Sequence, residues 1–144
     1  MHKQNSLSIF CDGGSRGNPG PSASAFVVYT SAGVEVTRNK KFIGTATNNV
    51  AEYTAVLRAH RWLHKNAQDL RVEEVSITLD SELIAKQLTG VYKIKSPHLV
   101  PLAAEILKIQ KALHGITIKI GHTLRAGNKV ADALVNQALD ENLS

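Results

Sequence analysis

Two repeating patterns of hydrophobic and polar positions divide this chain into nine segments. Short runs alternate apolar and polar residues, as half-buried strands do, and Leu7 and Ile9 share one face of the first run. Longer runs repeat apolar residues once per helical turn, and Val56, Ala59 and Leu63 lie along one such stripe. The predicted strands are residues 6–12, 23–29, 34–43, 75–80 and 116–120, and the predicted helices are residues 49–65, 81–88, 96–113 and 129–143.

The order of these elements predicts the fold class. The first three strands form an antiparallel meander, with residues 31–33 as a hairpin turn and residues 13–21 as a turn rich in Gly and Pro. The later strands return through helices, which indicates parallel pairing with right-handed crossovers. We therefore predict an α/β fold in one domain over residues 1–144, with a five-stranded mixed sheet and helices on both faces.

Composition and charge narrow the class of protein. The chain is 43% hydrophobic and 20% charged, as globular proteins are, and no apolar run approaches the roughly 18 residues of a membrane span. We expect a cytoplasmic protein with no membrane partner. Cys11 is the only cysteine, which excludes an intrachain disulfide and a cysteine-based zinc site. The net charge of +5 suits a polyanion such as nucleic acid, although a merely soluble basic protein has the same balance.

Four carboxylates stand at the edges of four separate segments: Asp12, Glu52, Asp80 and Asp132. Asp12 and Asp80 close strand patterns, and ligands of α/β sheets gather beyond the carboxyl ends of strands. Glu52 and Asp132 lie in first turns of helices, where the helix dipole favours negative charge. Since an unpaired buried carboxylate is costly, four that converge predict a divalent metal site.

Each of these acids also has a purely structural interpretation. Asp12 with Gly13 and Gly14 is compatible with an ordinary turn. Asn49 and Glu52 have the spacing of a capping box, and Asp80 could cap the helix that follows it. Asp132 could simply compensate the helix dipole. Taken together, four such coincidences are less plausible than one site.

Four motifs that surround these acids resemble those of type 1 ribonuclease H, the ribonuclease HI family. The first is Cys-Asp-Gly-Gly-Ser-Arg-Gly-Asn-Pro-Gly at residues 11–20. The others are Thr-Asn-Asn-Val-Ala-Glu at 47–52, Leu-Asp-Ser at 79–81 and Asn-Lys-Val-Ala-Asp at 128–132. The resemblance covers nearly the whole chain in order, including the pattern of strands and helices.

This resemblance implies a ribonuclease H-like fold and an endonuclease that hydrolyses the RNA strand of RNA–DNA hybrids. The four carboxylates would then bind two Mg²⁺ ions, with Mn²⁺ as a possible substitute, and the products would carry 5′-phosphate and 3′-hydroxyl ends. We expect a monomer without an obligate protein partner. One alternative is a catalytically inactive nucleic-acid-binding domain of the same fold. Another is a related nuclease such as a resolvase or transposase core.

The resemblance also implies residues that select the substrate. The 2′-hydroxyl that distinguishes RNA from DNA both donates and accepts hydrogen bonds, as Asn side chains do. The positions that would approach the RNA are Ser15, Asn18, Asn48, Asn49 and Glu52, and Thr47 would hold a phosphate of the DNA strand. A turn at Asn18 and a helix cap at Asn48 or Asn49 are the structural alternatives.

Histidines and basic residues complete the candidate chemistry. His122, in a predicted loop over residues 121–127, resembles the family's proton shuttle, whereas Arg125 in the same loop could bind phosphate. We interpret His60 and His64, four apart on a helix, as surface residues because no third metal ligand accompanies them.

The chain departs from the family in one respect. Residues 89–97 are short and lack the basic segment with tryptophan that grips the DNA strand in many members. Trp62 is the only tryptophan, and we expect it to be packed. Lys40 and Lys41 are candidates for a replacement grip, although a solvated edge strand explains them equally well.

Overall fold

A five-stranded mixed sheet with helices on both faces forms the framework, as predicted. The computed structural model describes residues 5–143, except for the side chains of Arg125 and Ala126. Spatial order in the sheet is β3-β2-β1-β4-β5. The strands are β1 (Ser6–Ser15), β2 (Gly20–Thr30), β3 (Glu35–Ala46), β4 (Glu74–Leu79) and β5 (Thr117–His122), and the helices are α1 (Asn48–Leu70), α2 (Glu82–Leu88), α3 (Val100–Ala112) and α4 (Lys129–Leu143).

The antiparallel meander is longer than its sequence pattern predicts. The sequence predicts a turn at residues 13–15, yet Gly13 pairs with Ser24 and Ser15 pairs with Ser22 in the β1–β2 ladder. The ladder can continue because Gly and Ser carry little or no side chain, so the apolar alternation stops before the backbone pairing does. Asp12 therefore lies inside β1 rather than at its last residue.

The parallel part of the sheet places the third motif beside the first. β1 pairs with β4 in parallel, with Phe10 opposite Thr78, and β4 pairs with β5 in parallel, with Leu79 opposite His122. Two residues beyond the Phe10–Thr78 pair, the chain reaches Asp12 on one strand and Asp80 on the other. The parallel pairing predicted from the helical crossovers is confirmed, and it brings these two acids to the same edge.

The two faces of the sheet bury cores of different size. The larger core contains residues of α1, α2 and α3 with Ile9, Ile77 and other strand residues that face them. The smaller core lies under α4, whose Leu134, Val135, Ala138 and Leu139 pack against alanines of β2. Among the described helices, none has the length and apolar character of a membrane span.

The helix ends differ from the predicted ones in instructive ways. α1 begins after Thr47, whose hydroxyl accepts a hydrogen bond from the Val50 amide at 3.1 Å, so Thr47 rather than Asn49 is the cap. α3 begins at Val100 with Pro101 in its first turn, so the start predicted at residue 96 is wrong. α4 has the predicted bounds.

The prediction that His60 lies at the surface of α1 is wrong. His60 is fully buried, whereas His64 is exposed as expected. The ring Nδ1 of His60 donates to the Val56 carbonyl at 2.8 Å, and Nε2 accepts from the Gln110 side chain of α3 at 3.0 Å. The helical pattern of α1 alone does not reveal that α3 covers this position. Trp62 is half-buried and packs against the larger core, as expected.

Candidate active site

A cavity of about 380 Å³ opens where β1, β4, α1 and α4 meet, and all four carboxylates line it. Asp12 reaches it from within β1, and Asp80 follows the last residue of β4. Glu52 reaches it from the second turn of α1, so its predicted place in a first turn is wrong, whereas Asp132 lies in the first turn of α4 as predicted. Four segments that are distant in sequence thus supply one acidic cavity.

Asp12 is the most buried of these acids, at 7% exposure. Burial, followed by repulsion from Asp80 and Asp132, raises the pKa of Asp12 to about 7. A hydrogen bond with the Asp132 carboxyl raises it further, whereas a hydrogen bond from the Gly13 amide opposes the shift. At neutral pH the site therefore holds more negative charge than its surroundings can easily accommodate.

Gly13 sets how closely α1 approaches β1. A Cβ atom at this position would collide with the Ala51 carbonyl group and the Glu52 amide nitrogen. The first turns of α1 therefore rest directly on the strand backbone beside Asp12, which brings Glu52 into the same cavity. The sequence interpretation of Gly13 as a turn glycine is wrong, because Gly13 lies in the β1–β2 ladder.

The structural interpretations of Asp80 and Asn49 also fail. The cap of α2 is Ser81, whose hydroxyl accepts from the Ile84 amide at 3.2 Å. The cap of α1 is Thr47, as described above. Neither Asp80 nor Asn49 has the capping role that the sequence left open for it.

The loop that joins β1 to β2 is fastened to the start of α1. The Ser15 amide donates to Asn48 Oδ1 at 2.9 Å, and the Asn48 amide donates to Asn18 Oδ1 at 3.0 Å. The Ser15 hydroxyl donates to the carbonyls of Gly17 and Ala46. The predicted substrate residues Ser15, Asn18, Thr47, Asn48 and Asn49 therefore lie together beside the acidic cavity, and Ser15 and Asn48 line it.

The two remaining predicted site residues are His122 and Arg125. His122 is the last residue of β5 rather than a loop residue, and it is exposed opposite Leu79, the residue before Asp80. It is not among the residues that line the cavity. The Arg125 side chain lies outside the described part of the chain, so its predicted contact with phosphate stays a prediction.

Sequence reasoning gave no role to Asn128, which holds the last motif in place. Asn128 is 1% exposed, and its side-chain amide donates to the Cys11 carbonyl at 2.8 Å. This bond ties the segment before α4 to the strand residue next to Asp12, and so positions Asp132. The only signal in the sequence was the position of Asn128 within the fourth motif, four residues before Asp132.

The donors around the cavity fit a hard divalent cation. The four acidic side chains offer carboxylate oxygens, the ligands that Mg²⁺ prefers, and no histidine or cysteine lines the described cavity. Burial and the neighbouring carboxylates raise the pKa of Asp12, so a cation bound beside it would favour its ionised form. Among the residues described, no three His, Cys, Asp or Glu side chains are already drawn together as a coordination group.

Comparisons with known proteins agree with the geometry. A family model described as "Reverse transcriptase-like" matches residues 10–138. The ribonuclease HI of Halobacterium salinarum is 38% identical over 133 residues, which are 92% of this chain and 63% of that protein. A bifunctional protein of Mycobacterium tuberculosis, Rv2228c, is 37% identical over 92% of this chain and 35% of its own length. This chain thus spans less than two thirds of these two relatives.

A solved structure matches over almost its whole length. LC11-RNase H1 was isolated from compost by a metagenomic approach and crystallised in complex with an RNA/DNA hybrid. It is 40% identical to this chain, with a TM-score of 0.90 over 96% of this chain and 99% of that one.

Proposed function

The chain belongs to the type 1 ribonuclease H family, and we propose on this premise that it is an endonuclease that hydrolyses the RNA strand of RNA–DNA hybrids. The proposed products carry 5′-phosphate and 3′-hydroxyl ends. The observation that carries the proposal is the convergence of four carboxylates from four elements on one cavity. The match to LC11-RNase H1, which was crystallised with a hybrid, supports the substrate class.

Asp12, Glu52, Asp80 and Asp132 are proposed to hold two Mg²⁺ ions, with Mn²⁺ as a possible substitute. When bound, such ions supply an activated water and stabilise the leaving oxygen of a phosphodiester. The protein contributes the placement of the four acids. Gly13 lets α1 rest on β1, and Asn128 ties the start of α4 to the same strand.

The substrate side of the site is proposed to be the β1–β2 loop with the first turn of α1. The Ser15 backbone amide donates to the side-chain Oδ1 atom of Asn48. This hydrogen bond orients the side-chain NH₂ group of Asn48 for donation to a 2′-hydroxyl. Asn18 and Asn49 stand beside it, and Ser15 lines the cavity. The Thr47 hydroxyl accepts from Val50, so its proton stays available for a phosphate of the DNA strand.

His122 and Arg125 are proposed auxiliaries. His122 is exposed at the end of β5, opposite the residue before Asp80, and its proposed role is the proton shuttle that the family resemblance implies. Arg125 is proposed to bind phosphate from the turn before α4. We also propose that the protein acts as a cytoplasmic monomer, which follows from the sequence-based expectations alone.

A non-catalytic hybrid-binding domain is the second candidate. It is favoured by the lack, among the described residues, of carboxylates already drawn together as a coordination group. This function gives no reason for a strand carboxylate whose pKa is raised by burial and by like charge.

One assay separates the two functions. Labelled RNA–DNA hybrid, duplex DNA and duplex RNA are each incubated with the chain in Mg²⁺ or in EDTA. We expect cleavage of the hybrid's RNA strand in Mg²⁺ alone, with neither duplex cut. Binding of the hybrid without cleavage in Mg²⁺ would instead assign the non-catalytic function.

A further inference from the structure

Arg16 is the one basic residue among the described residues that line the acidic cavity. It follows Ser15 at the end of β1, and its side chain crosses from the β1–β2 loop to α4. Its Nη2 atom lies 2.6 Å from Asp140 Oδ1 and donates to Asn136 Oδ1 at 3.4 Å. A guanidinium group is therefore held at the edge of the cavity by an anion from the helix that carries Asp132.

This ion pair is exposed and easily exchanged. The Arg16 side chain is 41% exposed and the Asp140 side chain is 69% exposed. Pairs of this kind contribute little to stability, because water solvates both partners well. A phosphate offers the same guanidinium two charge-assisted hydrogen bonds in a matched geometry, so it can displace the carboxylate.

The backbone around Arg16 does not depend on the ion pair. The Arg16 amide donates to the Pro21 carbonyl at 2.8 Å, and Ser15 and Asn18 are both bonded to Asn48. Loss of the contact with Asp140 therefore frees the side chain without releasing the loop. The guanidinium can turn toward a substrate while the loop stays in place.

We propose that Arg16 is a substrate-binding residue that exchanges Asp140 for a backbone phosphate of the hybrid beside the cavity. Asp140 acts as a competing anion that weakens this contact. The inference deepens the proposed function and rests on it. The contrasting possibility is that the ion pair only fastens the loop to α4, and this predicts different results.

The two single variants Arg16→Ala and Asp140→Asn separate these possibilities, because each breaks the same ion pair. If the pair only fastens the loop, both variants weaken substrate binding alike. If Arg16 binds phosphate, the variants act in opposite directions. We expect Arg16→Ala to raise KM and weaken hybrid binding by about tenfold, with kcat nearly unchanged. We expect Asp140→Asn to tighten binding by about two- to threefold.

Two further readouts exclude simpler explanations. Loss of one phosphate contact lowers the salt dependence of log K by about one unit in Arg16→Ala. Glu74→Gln is the control for Asp140→Asn, since Glu74 is also an exposed acid in a surface ion pair, 3.7 Å from Lys119. Arg38→Ala, which breaks the 2.7 Å pair with Glu35, is the control for Arg16→Ala. Thermal unfolding should change equally in the two single variants.

The double variant tests whether Asp140 acts through Arg16. In the Arg16→Ala background, Asp140→Asn should change binding no more than Glu74→Gln does. The proposal is overturned if both single variants shift binding in the same direction. It is also overturned if the full gain from Asp140→Asn persists without Arg16.

Neutral methylphosphonate linkages, introduced one at a time, identify the strand. The penalty of Arg16→Ala should vanish at one linkage of either the RNA or the DNA strand, and its persistence at every linkage of both strands contradicts the proposal. Binding is measured by fluorescence anisotropy in EDTA as well as by KM in Mg²⁺. The binding measurement therefore reports on Arg16 even if the wild-type chain binds hybrid without cutting it, which is the outcome that refutes the nuclease function.

Discussion

Asp12 and His60 are both polar residues buried in this fold, yet their surroundings are opposite. Asp12 is 7% exposed, and burial together with repulsion from Asp80 and Asp132 raises its pKa to about 7. His60 is fully buried with a hydrogen-bond partner at each ring nitrogen, and burial lowers its pKa. Both residues are therefore shifted toward their neutral forms, but His60 has a neutral partner at each ring nitrogen, whereas Asp12 also faces the carboxylates of Asp80 and Asp132.

The difference shows what a buried polar group is for. His60 joins two helices, and because both of its ring nitrogens have hydrogen-bond partners, it does not need a ligand. A carboxylate pressed against like charge is costly to keep, and it is relieved only by a proton or a cation. Burial alone does not distinguish Asp12 from His60, whereas the charge of the neighbouring groups does. The following experiments test this contrast.

Asp12→Asn should have the largest effect, with cleavage of the hybrid reduced to the detection limit. The free energy of unfolding should be unchanged or higher in EDTA at pH 8. Above its raised pKa, Asp12 is ionised in the folded wild-type chain, and this buried charge is unfavourable. Hybrid cleavage in Mg²⁺ and urea unfolding measure the two effects. Asp69→Asn, an exposed acid on α1, is the matched control, and normal cleavage by Asp12→Asn contradicts the assignment.

His60→Ala should show the reverse profile. Removal of a buried ring and of two hydrogen bonds should lower the free energy of unfolding by about 2–4 kcal/mol, with kcat per folded molecule unchanged. Gln110→Ala should cost less, about 1–2 kcal/mol, because only one partner is lost. Urea unfolding and active-site titration check both values. A large loss of kcat in folded His60→Ala would mean that the residue is not merely structural.

Mg²⁺ should stabilise the wild-type chain but not Asp12→Asn. A ligand at ten times its Kd stabilises the folded state by about 1.4 kcal/mol, which appears as a higher Tm. The Asp69→Asn control should respond as the wild type does. Equal shifts in the wild type and Asp12→Asn would show that the cation binds elsewhere.

Acid sensitivity should be the smallest of the four effects. Since the pKa of His60 is lowered in the folded state, the unfolded chain takes up a proton first as the pH falls below about 6.5. Stability linked to His60 is thus present above that pH and is lost as the pH falls toward the folded-state pKa. His60→Leu should lose less stability than the wild type between about pH 7.5 and 5.5, and His64→Leu should behave as the wild type does.

Much of the fold follows from the sequence because its elements carry strong periodicity. α4 has the predicted bounds, and the parallel pairing of β1 with β4 follows from the helical crossover between them. Two of the errors fall where backbone hydrogen bonding continues beyond the apolar pattern. β1 continues through Gly13 and Gly14, and α1 continues to Leu70 beyond its predicted end at residue 65.

The candidate site was partly predictable for a similar reason. Strand ends and first helical turns indicated where the acids would gather, and the cavity contains all four. What the sequence could not supply is contact between distant segments. Asn128 bonded to Cys11, Arg16 paired with Asp140, and His60 covered by α3 all depend on tertiary packing. None of these pairs has a signature in the spacing of residues.

The helix that supplies Asp132 is also the last described element of the chain. Asp12, Glu52 and Asp80 are synthesised before α4, so a nascent chain that lacks α4 holds only three of its four acids. Its hydrolytic power would then switch on only when the final helix docks. The order of synthesis therefore keeps the four-carboxylate site incomplete until α4 has been made and has docked.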